Sequence, residues 1–518
     1  MEGAQDSVVA FLSDPVTHGG GVSVVERIDT HISVLFLAGD RVFKLKRAIV
    51  LPFLDYGTAA KRRFFCEREL ALNRRTAPEM YLGVRAINRD AAGRLTIDGP
   101  GEAIDWIVEM IRFDAESLFG TQADAGRLTT EKVCQAADEI ASLHRGAEII
   151  ADVRMRDRAG MTSTVGQLRD GFYGCRDILG AGAVRAYLEQ LTVEASARQA
   201  LLSQRFDAGW VRVCHGDLHL NNICMFEGRP TLFDAAEANE RFTQIDVLYD
   251  LAFMLMDLEM RGLRAYANAA LNRYLAWCGG PCMTLEGLRA MPLFLSLRAA
   301  IRANVCVLTA GNVGAPAAAE QISAARRYFD LARKILAPVP ASLLAVGGAS
   351  GTGKTSVARA IAPELGVAPG AVIVRSDEVR KSLFGVAATA RLPAAAYTDE
   401  WHRRVYAEVM ARARQTLAAG HACVVDAVHG SPGERAEIAA IAAAAGVPFH
   451  GVWLETSEAV LRARTAGRVG DASDAGPAVV TAQLRRGFGD VAWPTVDASG
   501  GIEDVADRVR ACLAAGAR

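Results

Sequence analysis

The first stretch of the chain has the apolar pattern of a small β-sheet with one helix. Gly39 and Asp40 form a tight-turn pair between two segments rich in β-branched and aromatic residues. Residues 60–74 follow with helical spacing, which predicts a helix packed on the sheet. The predicted strands are residues 22–30, 33–38, 41–46 and 104–111.

Helical periodicity dominates the middle of the chain, at residues 130–145 and 164–206. A short apolar strand, residues 211–214, then runs into a polar loop. Residues 245–256 are apolar on nearly all sides, which predicts a buried helix. Helical material continues to about Leu336. These features together predict a larger, mainly helical lobe after the sheet.

The last third of the chain has the pattern of a separate α/β domain. Residues 337–341 form the linker, which contains two prolines and begins where the helical pattern ends. Short apolar strands then alternate with helical stretches, as is typical of a mostly parallel sheet. The predicted strands here are residues 342–346, 373–375 and 422–425.

Composition and charge narrow the class of protein. Of 518 residues, 51% are hydrophobic and 23% are charged, so sizeable cores are expected. The formal net charge of −1 gives no overall basic field, which makes nucleic acid an improbable partner. The N-terminus has no signal-peptide pattern, and charged residues interrupt the apolar stretch 291–308, so we expect no membrane span. The ten cysteines are scattered singly, so reduced thiols and a cytoplasmic location are expected.

The polar loop after residues 211–214 brings three oxygen-bearing side chains together. Asp217 and Asn222 lie on the loop, and Asp234 follows a predicted β-hairpin that returns the chain towards Asn222. Phosphoryl transfer needs a base for the attacking hydroxyl and oxygen ligands for Mg²⁺. Asp217 is the candidate base, and Asn222 and Asp234 are the candidate metal ligands. Any one of them could be an ordinary turn residue, but their joint spacing favours a kinase.

This stretch resembles the aminoglycoside phosphotransferase and choline kinase-like family. Its pattern His-Gly-Asp-x-His-x-x-Asn is present, and so are the later Asp and the stretch Asp-x-x-x-Asp-Leu-Ala. The sequence departs from the family's habits at Leu220, where proline is frequent, and at Ala235-Ala236. The matching residues are His215, Gly216, Asp217, His219, Asn222, Asp234, Asp246, Asp250, Leu251 and Ala252.

The resemblance implies roles for further residues. A strand lysine pairs with the nucleotide phosphates, and either Lys44 or Lys46 could serve, with Lys44 favoured. An acidic residue on the following helix pairs with this lysine, for which Glu69 fits and Glu67 is the alternative.

Two more roles follow from the same resemblance. Backbone groups of Glu109 and Met110, at the expected hinge between the lobes, would bind adenine. Asp250 would brace the loop of residues 215–222, which is the catalytic loop of the family. The glycine-rich phosphate loop of many kinases, GxGxxG, is absent between the first two predicted strands.

A second set of phosphate-binding residues follows the linker. Residues 348–355 read GxxxxGKT and lie between a predicted strand and a predicted helix, which is the context of a P-loop. In such loops the backbone N–H groups hold phosphates, the lysine neutralises them and the threonine reaches Mg²⁺. The predicted nucleotide-binding residues are Gly348, Ala349, Ser350, Gly351, Thr352, Gly353, Lys354, Thr355 and Ser356.

Polar residues at the ends of the next strands complete this second candidate site. Asp377 and Asp426 follow strands at the edge where open α/β sheets bind ligands. Asp377 is the candidate base and Asp426 the candidate metal ligand with Thr355. The patterns Ser-Asp-x-x-Arg and Leu-x-x-Arg-x-x-x-Arg resemble small P-loop kinases of the polynucleotide kinase, gluconate kinase and zeta-toxin type. Arginines in these patterns, which would contact phosphate or substrate, are Arg380, Arg464 and Arg468.

The sequence therefore predicts an α+β, protein-kinase-like two-lobed domain followed by an α/β P-loop domain with a mostly parallel sheet. The predicted boundaries are residues 1–110 for the smaller lobe, 111–336 for the larger lobe and 342–518 for the P-loop domain. The predicted function is a bifunctional kinase that uses ATP and Mg²⁺ and phosphorylates hydroxyl groups of small molecules such as sugars, amino-sugars or aminoglycosides. The alternatives are that the P-loop domain only senses nucleotide, or that the first domain only binds a ligand.

Overall fold

An antiparallel sheet opens the chain in the computed structural model, which describes residues 5–51, 54–156, 161–277, 285–467 and 472–516. Within the described residues six strands pair in the order β1-β2-β3-β8-β6-β7, and β4 pairs with β5 apart from them. The strands are β1 (Val25–Asp29), β2 (Ser33–Ala38), β3 (Arg41–Lys46), β4 (Val50–Leu51), β5 (Leu54–Asp55), β6 (Tyr81–Arg89), β7 (Leu95–Ile97) and β8 (Glu102–Ile111).

Alternation of side chains along β2 and β3 decides which helix each face of this sheet contacts. Helix α1 (Asp6–Ser13) packs on one face with Phe36 and Phe43, whereas α2 (Ala59–Asn73) packs on the other face with Val42. Lys44 and Lys46 have the same parity as Val42, so both lysines lie on the α2 face. The predicted strands and helix are present, and β6 and β7 were not predicted.

The middle of the chain is mainly helical, as predicted. Its helices are α3 (Phe119–Asp124), α4 (Thr130–Gly146), α5 (Thr162–Leu179), α6 (Ala181–Asp207), α7 (Glu240–Thr243), α8 (Val247–Met260), α9 (Arg264–Trp277), α10 (Met291–Ala310) and α11 (Ala315–Leu336). Its strands are β9 (Val211–Val213), β10 (Ile223–Phe226), β11 (Arg229–Leu232) and β12 (Gln244–Asp246).

The buried helix after the hairpin begins later than residue 245, where the apolar run starts. Residues 244–246 instead form β12, which pairs with β9 beside the catalytic loop. Asp246 then precedes α8 and accepts the backbone N–H of Leu248 at 2.8 Å, so it caps the start of the helix. Apolar periodicity alone did not reveal that the first residues of this run pair as a strand.

One described helix, Leu285–Ala310, is long and apolar enough to cross a membrane, but 61% of its apolar window is buried inside the protein. Its polar groups have partners there, because the Ser296 hydroxyl bonds to the Tyr187 hydroxyl at 2.9 Å and to the Ala332 carbonyl at 2.9 Å. This pattern is typical of the core helix of a globular protein.

The C-terminal region is built on a parallel sheet. Its strands pair in the order β14-β15-β13-β16-β17, and every pairing is parallel. The strands are β13 (Leu343–Gly347), β14 (Val372–Arg375), β15 (Cys423–Asp426), β16 (Phe449–Glu455) and β17 (Thr495–Asp497). The helices are α12 (Lys354–Ile361), α13 (Ser376–Leu383), α14 (Asp399–Ala418), α15 (Pro432–Ala445), α16 (Glu458–Ala466), α17 (Pro477–Arg486) and α18 (Ile502–Gly516). The predicted fold class is confirmed for both regions.

Each of the two compact units in the structure is formed by two segments of the chain. One unit comprises residues 1–159 and 206–254, and the other comprises residues 160–205 and 255–518. The sheet β1–β8 and the catalytic loop therefore belong to the first unit, and helices α9 to α11 share the second unit with the P-loop sheet. The predicted linker lies between the end of α11 and the start of β13. The lobe boundary after residue 110 and the end of the kinase-like domain at residue 336 stay predictions.

A buried histidine in the second unit predicts that stability falls in mild acid. His421 is fully buried just before β15, its Nε2 lies 3.0 Å from the Leu288 carbonyl oxygen, and burial lowers its pKa from 6.5 to about 4. As the pH falls below 6.5, His421 therefore becomes protonated in the unfolded chain, whereas in the folded chain it stays neutral until about pH 4. Between pH 7 and pH 5 this histidine should remove about 2 kcal/mol of unfolding free energy.

Urea unfolding at pH 7 and pH 5 measures this effect. His421→Gln should reduce the pH dependence by that amount, and the exposed His31→Gln should leave it unchanged. An equal pH dependence in wild type and His421→Gln would contradict the prediction.

Candidate active sites

A buried carboxylate accepts hydrogen bonds from the backbone of the loop that follows β9. Asp250 of α8 accepts the backbone N–H groups of His215 at 2.9 Å and Gly216 at 2.8 Å, and the Nε2 atom of His144 lies 3.1 Å from the same carboxylate. Gly216 has φ +89°, and a Cβ there would lie 2.5 Å from the Phe242 carbonyl oxygen, so the loop requires glycine. The structure thus places Asp250 under the loop, as the resemblance implied.

Hydrogen bonds within the loop fix the orientation and tautomer of His215. The backbone N–H of Asp217 donates to the His215 Nδ1 at 3.4 Å, and the His215 Nε2 lies 2.9 Å from the Phe233 carbonyl oxygen. These partners assign the proton to Nε2. Burial lowers the pKa of His215, although Asp250 opposes the shift.

His144, Cys214 and Asp250 could offer metal-ligand atoms within 4.8 Å of one another, but the Asp250 oxygens already accept loop amides.

Asp217, Asn222 and Asp234 lie together. The Asn222 Nδ2 donates to the Asp217 Oδ2 at 3.0 Å and lies 3.5 Å from the Asp234 carbonyl oxygen. The hairpin of β10 and β11 produces this arrangement, because the Phe233 N–H donates to the Asn222 carbonyl at 3.1 Å as the chain returns. Asp217 and Asp234 keep about two fifths of their side chains exposed, 41% and 42%, and therefore remain accessible to ligands.

Lys44 joins the sheet to this loop. Its Nζ donates to the Glu69 Oε1 at 2.8 Å and to the Asp234 Oδ1 at 2.6 Å. Burial by itself lowers the pKa of Lys44, but the carboxylates of Asp234 and Glu69 outweigh burial and raise it well above the ordinary value. Lys44 is therefore a permanent positive charge beside the candidate metal ligands. Glu67, the alternative partner, is exposed and pairs with Arg63 at 2.8 Å.

Lys46 belongs to a deeper part of the same network. Its fully buried ammonium group donates to the Glu69 Oε2 at 2.6 Å and to Glu237, whose Oε1 also accepts the Tyr56 hydroxyl at 2.7 Å. Burial would raise the pKa of Glu237, but Lys46 and Lys44 lower it overall, so its carboxylate stays charged. Glu237 lies three residues after Asp234, and no sequence signal distinguished it from a surface acid.

Glu109 and Met110, the predicted adenine contacts, lie close to the end of β8. They lie inside β8, between β3 and β6, where Glu109 pairs with Phe43 and Gly83. The register of β6 against β8 shifts between Tyr81 and Gly83, which pair with these two residues, and their role in binding adenine stays a prediction. The prediction placed the hinge at the end of the apolar run, whereas the chain leaves the sheet only after Ile111.

The second candidate site is built on the loop between β13 and α12. Helix α12 begins at Lys354, and Gly348, Gly351 and Gly353 have positive φ angles of 136°, 93° and 95°. At Gly348 a Cβ would lie 2.5 Å from the Leu454 carbonyl oxygen, so only glycine fits at this position. The Lys354 Nζ donates to the carbonyls of Gly348 at 3.0 Å and Ala349 at 2.9 Å. The loop has the form of a phosphate-binding loop.

Thr355 and Asp426 meet at the mouth of this loop. The Thr355 hydroxyl donates to the Asp426 Oδ2 at 2.6 Å. Arg375, which the sequence analysis missed, donates to the same carboxylate oxygen at 3.2 Å and to the Thr355 Oγ1 at 3.1 Å. This arginine is the last residue of β14, and only the assembled sheet shows that β14 lies beside β15.

A cavity of about 930 Å³ brings the remaining predicted residues together. It is lined by Asp377, Arg380 and Arg464 together with P-loop residues 350–356 and Asp426. Burial and the nearby Asp426 raise the pKa of Asp377, although a hydrogen bond from Ser473 opposes the shift. The Arg464 Nη1 donates to the Ala498 carbonyl at 3.0 Å, so this arginine is held at the cavity. Arg468 lies outside the described residues.

Other residues of this cavity carried no recognisable sequence pattern. Gln483 of α17 accepts the Ser350 backbone N–H at 2.9 Å, and the His402 Nε2 lies 2.7 Å from the Glu434 Oε1. Tyr397 donates to Asp474. These residues come from distant parts of the chain, so only the fold reveals that they share one cavity.

Comparison with known proteins agrees with this geometry. Residues 110–290 match the model of the phosphotransferase enzyme family, and residues 343–488 match the model of an AAA domain family. The chain is a phosphotransferase. Both sequence resemblances are confirmed, since the first match contains the catalytic loop and the second contains the P-loop of this phosphotransferase.

Several proteins are similar to this chain over all or part of its length. An uncharacterized protein of Mycobacterium tuberculosis is 29% identical over 486 residues, which cover 91% of this phosphotransferase and 91% of that protein. A choline/ethanolamine kinase family protein from Mesorhizobium loti is 14% identical, with a TM-score of 0.38, over 64% of this chain and 99% of that chain. A gluconokinase from Sinorhizobium meliloti is 26% identical, with a TM-score of 0.25, over 34% of this chain and 93% of that chain.

The two lysines of β3 should respond differently to substitution. Lys46→Met would leave the fully buried Glu237 and one Glu69 oxygen without a cation, and breaking such a pair typically costs about 3–5 kcal/mol of unfolding free energy. Lys44→Met leaves Glu69 paired with Lys46 and frees Asp234, which is partly exposed. We therefore expect Lys44→Met to stay folded and lose turnover.

Urea unfolding and an ADP-release assay of both variants test this division, with the exposed Lys61→Met as control. Equal losses of stability in the two variants would contradict it.

Proposed function

We propose that this phosphotransferase has two separate kinase sites, each using ATP and Mg²⁺ and each transferring phosphate to a hydroxyl group of a small molecule. The observation that carries the proposal is that each compact unit contains its own candidate base, metal ligands and phosphate-binding lysine. Sugars, amino-sugars and aminoglycosides are the proposed acceptors for the first site. The acceptor of the second site is proposed only as a small hydroxyl compound.

At the first site we assign the base role to Asp217, which would accept the proton of the acceptor hydroxyl. Its partly exposed carboxylate is oriented by Asn222, and the backbone of its loop is fixed by Asp250. Lys44 would contact the phosphates of the bound nucleotide, because its charge is permanent and Glu69 holds its position.

The first site has donor atoms that fit Mg²⁺. The Asn222 Nδ2 is used by Asp217, so this side chain offers its carbonyl oxygen as ligand, and Asp234 offers a partly exposed carboxylate. Amide and carboxylate oxygens are the ligands that Mg²⁺ prefers. Bound with ATP, the metal would supply positive charge against the phosphates.

At the second site we assign the base role to Asp377 and phosphate contacts to Lys354 and the loop amides. Thr355 and Asp426 provide the hydroxyl and carboxylate oxygens that suit Mg²⁺ in a P-loop. Arg380 and Arg464 line the same cavity as Asp377, which leaves room for an acceptor beside the P-loop.

A regulatory role of the P-loop domain is the second candidate function. Gln483 accepts the Ser350 backbone N–H, and Arg375 contacts both candidate metal ligands, so residues of α17 and β14 contact the P-loop site. A nucleotide sensor would use nucleotide binding to displace these contacts. We favour the kinase because a sensor does not require Asp377 in the cavity.

The proposed cellular setting is the cytoplasm. The described cysteines, which include the buried Cys66 and Cys224, form no disulfide with one another, in agreement with a reducing compartment. The proposed partners are small molecules.

Asp217→Asn and Asp234→Ala should separate catalysis from nucleotide binding at the first site. The base acts on the acceptor, so Asp217→Asn should lower kcat by about 10²–10⁴-fold and leave nucleotide affinity nearly unchanged. Asp234→Ala should weaken Mg²⁺-dependent nucleotide binding as well. Steady-state kinetics and equilibrium binding check this, with the exposed Glu79→Gln as control. An Asp217→Asn enzyme that keeps most of its rate would exclude Asp217 as the base.

Asp377→Asn distinguishes a second kinase from a sensor. In a search for acceptors with labelled ATP and the full chain, Asp217→Asn should abolish one set of phosphorylated products, and Lys354→Ala should abolish the other. A kinase requires Asp377→Asn to lose the same products as Lys354→Ala while it still binds nucleotide. Unchanged products in Asp377→Asn would favour the sensor, and the exposed Glu400→Gln is the control.

A further inference from the structure

The strand that leads to Asp377 is at the edge of the parallel sheet. Among the described strands β14 pairs only with β15, so its other side carries backbone groups without a strand partner. The Val372 N–H donates to the Ala422 carbonyl at 2.9 Å, towards β15. Because successive backbone groups of a strand point to opposite sides, the Ile373 N–H points to the open side.

Two asparagines of α9 occupy this open side. Asn272 accepts the Ile373 N–H with its Oδ1 at 2.7 Å and donates its Nδ2 to the Ala371 carbonyl at 3.2 Å. Asn268 donates to the same carbonyl at 3.0 Å and is 2% exposed. The two residues are four apart, so they lie on one face of the helix. A side-chain amide has the same donor and acceptor as a peptide group, and Asn272 uses both as a neighbouring strand would.

Further contacts extend the same junction. Arg264, also on α9, donates to the Gly366 carbonyl at 3.0 Å, just before β14. The Leu288 carbonyl oxygen lies 3.0 Å from the His421 Nε2, just before β15. A Cβ at Gly370 would lie 2.8 Å from the Asn268 Nδ2, so the chain approaches the helix closely there. These contacts all fall within the second compact unit.

We propose that α9, within the segment that matches the phosphotransferase family, completes the hydrogen bonding of the β14 edge of the P-loop sheet in place of a neighbouring strand. Asn268 and Asn272 are positioning residues, because they fix β14 and thereby Arg375, its last residue, and Asp377, which follows it. The P-loop segment that begins at residue 342 is then structurally incomplete without residues 264–277. The functional consequence rests on the proposed second kinase site, whereas the structural consequence does not.

Hydrogen exchange at two neighbouring amides of the full-length chain tests the structural part. In wild type the amides of both Val372 and Ile373 should be protected. Asn272→Leu removes the acceptor of the Ile373 N–H, so exchange at Ile373 should become at least about tenfold faster, while Val372, which bonds to Ala422, stays protected. Asn272→Asp keeps an acceptor oxygen and should retain much of the protection at Ile373. Asn312→Leu, which removes an exposed asparagine bonded at 2.9 Å to the Leu308 carbonyl, is the matched control.

Each result has a defined reading. Unchanged protection of Ile373 in Asn272→Leu overturns the proposal. If Asn272→Leu unfolds the sheet, exchange rises at Val372 also, and Asn272→Asp then decides: retained protection at Ile373 supports the proposal, and its loss overturns it.

Kinetics of the same variants test the positioning role. Asn272→Leu should lower the Lys354-dependent kcat by about 10- to 100-fold, since small displacements of a catalytic group have effects of this size. Nucleotide affinity should change little, because the P-loop follows β13 and not β14. Turnover that depends on Asp217 should be unaffected and reports on folding of the chain. An altered exchange rate with unchanged kcat would limit the junction to a structural role and overturn the positioning role.

Discussion

The Glu69 carboxylate, fully buried between the ammonium groups of Lys44 and Lys46, is the interaction on which the first site depends. A carboxylate without a partner at this depth would be strongly destabilising, so helix α2 and strand β3 must keep their relative positions. Lys44 then extends the network to Asp234, and Lys46 extends it to Glu237, which ties both ends of the segment after the hairpin to the sheet. Charge compensation in the core therefore also places the candidate metal ligand.

The P-loop site follows the same requirement with different residues. Arg375 lies against the Asp426 carboxylate and the Thr355 hydroxyl, and Asp377 shares the cavity with Arg380 and Arg464. The strand that supplies Arg375 and precedes Asp377 is in turn held by the side-chain amides of α9. In both units a candidate catalytic carboxylate is thus supported by contacts from elements distant in sequence, and those contacts satisfy buried polar groups.

Local patterns in the sequence predicted the parts of each site that lie on one loop. The spacing of Asp217 and Asn222, the hairpin that returns Asp234 and the complete P-loop motif are properties of short segments, and the structure places all of them as expected. Glu237, Arg375 and Gln483 could not be found this way, because their partners are remote in sequence. The apolar run likewise predicted the strand β8, but only pairing with β3 and β6 shows that Glu109 and Met110 lie inside it. The role of α9 depends on the edge of a sheet more than ninety residues away, as the Asn272 to Ile373 bond shows.

Two independent nucleotide sites are the central claim, and the stoichiometry of nucleotide binding tests it most directly. Titration calorimetry of the full chain with Mg²⁺ and a non-hydrolysable ATP analogue should give two molecules bound per chain. Lys44→Met and Lys354→Ala should each reduce the number to one, and the remaining affinity should equal that of the unaffected site in wild type. A single molecule per chain in wild type, abolished by either substitution, would contradict the account.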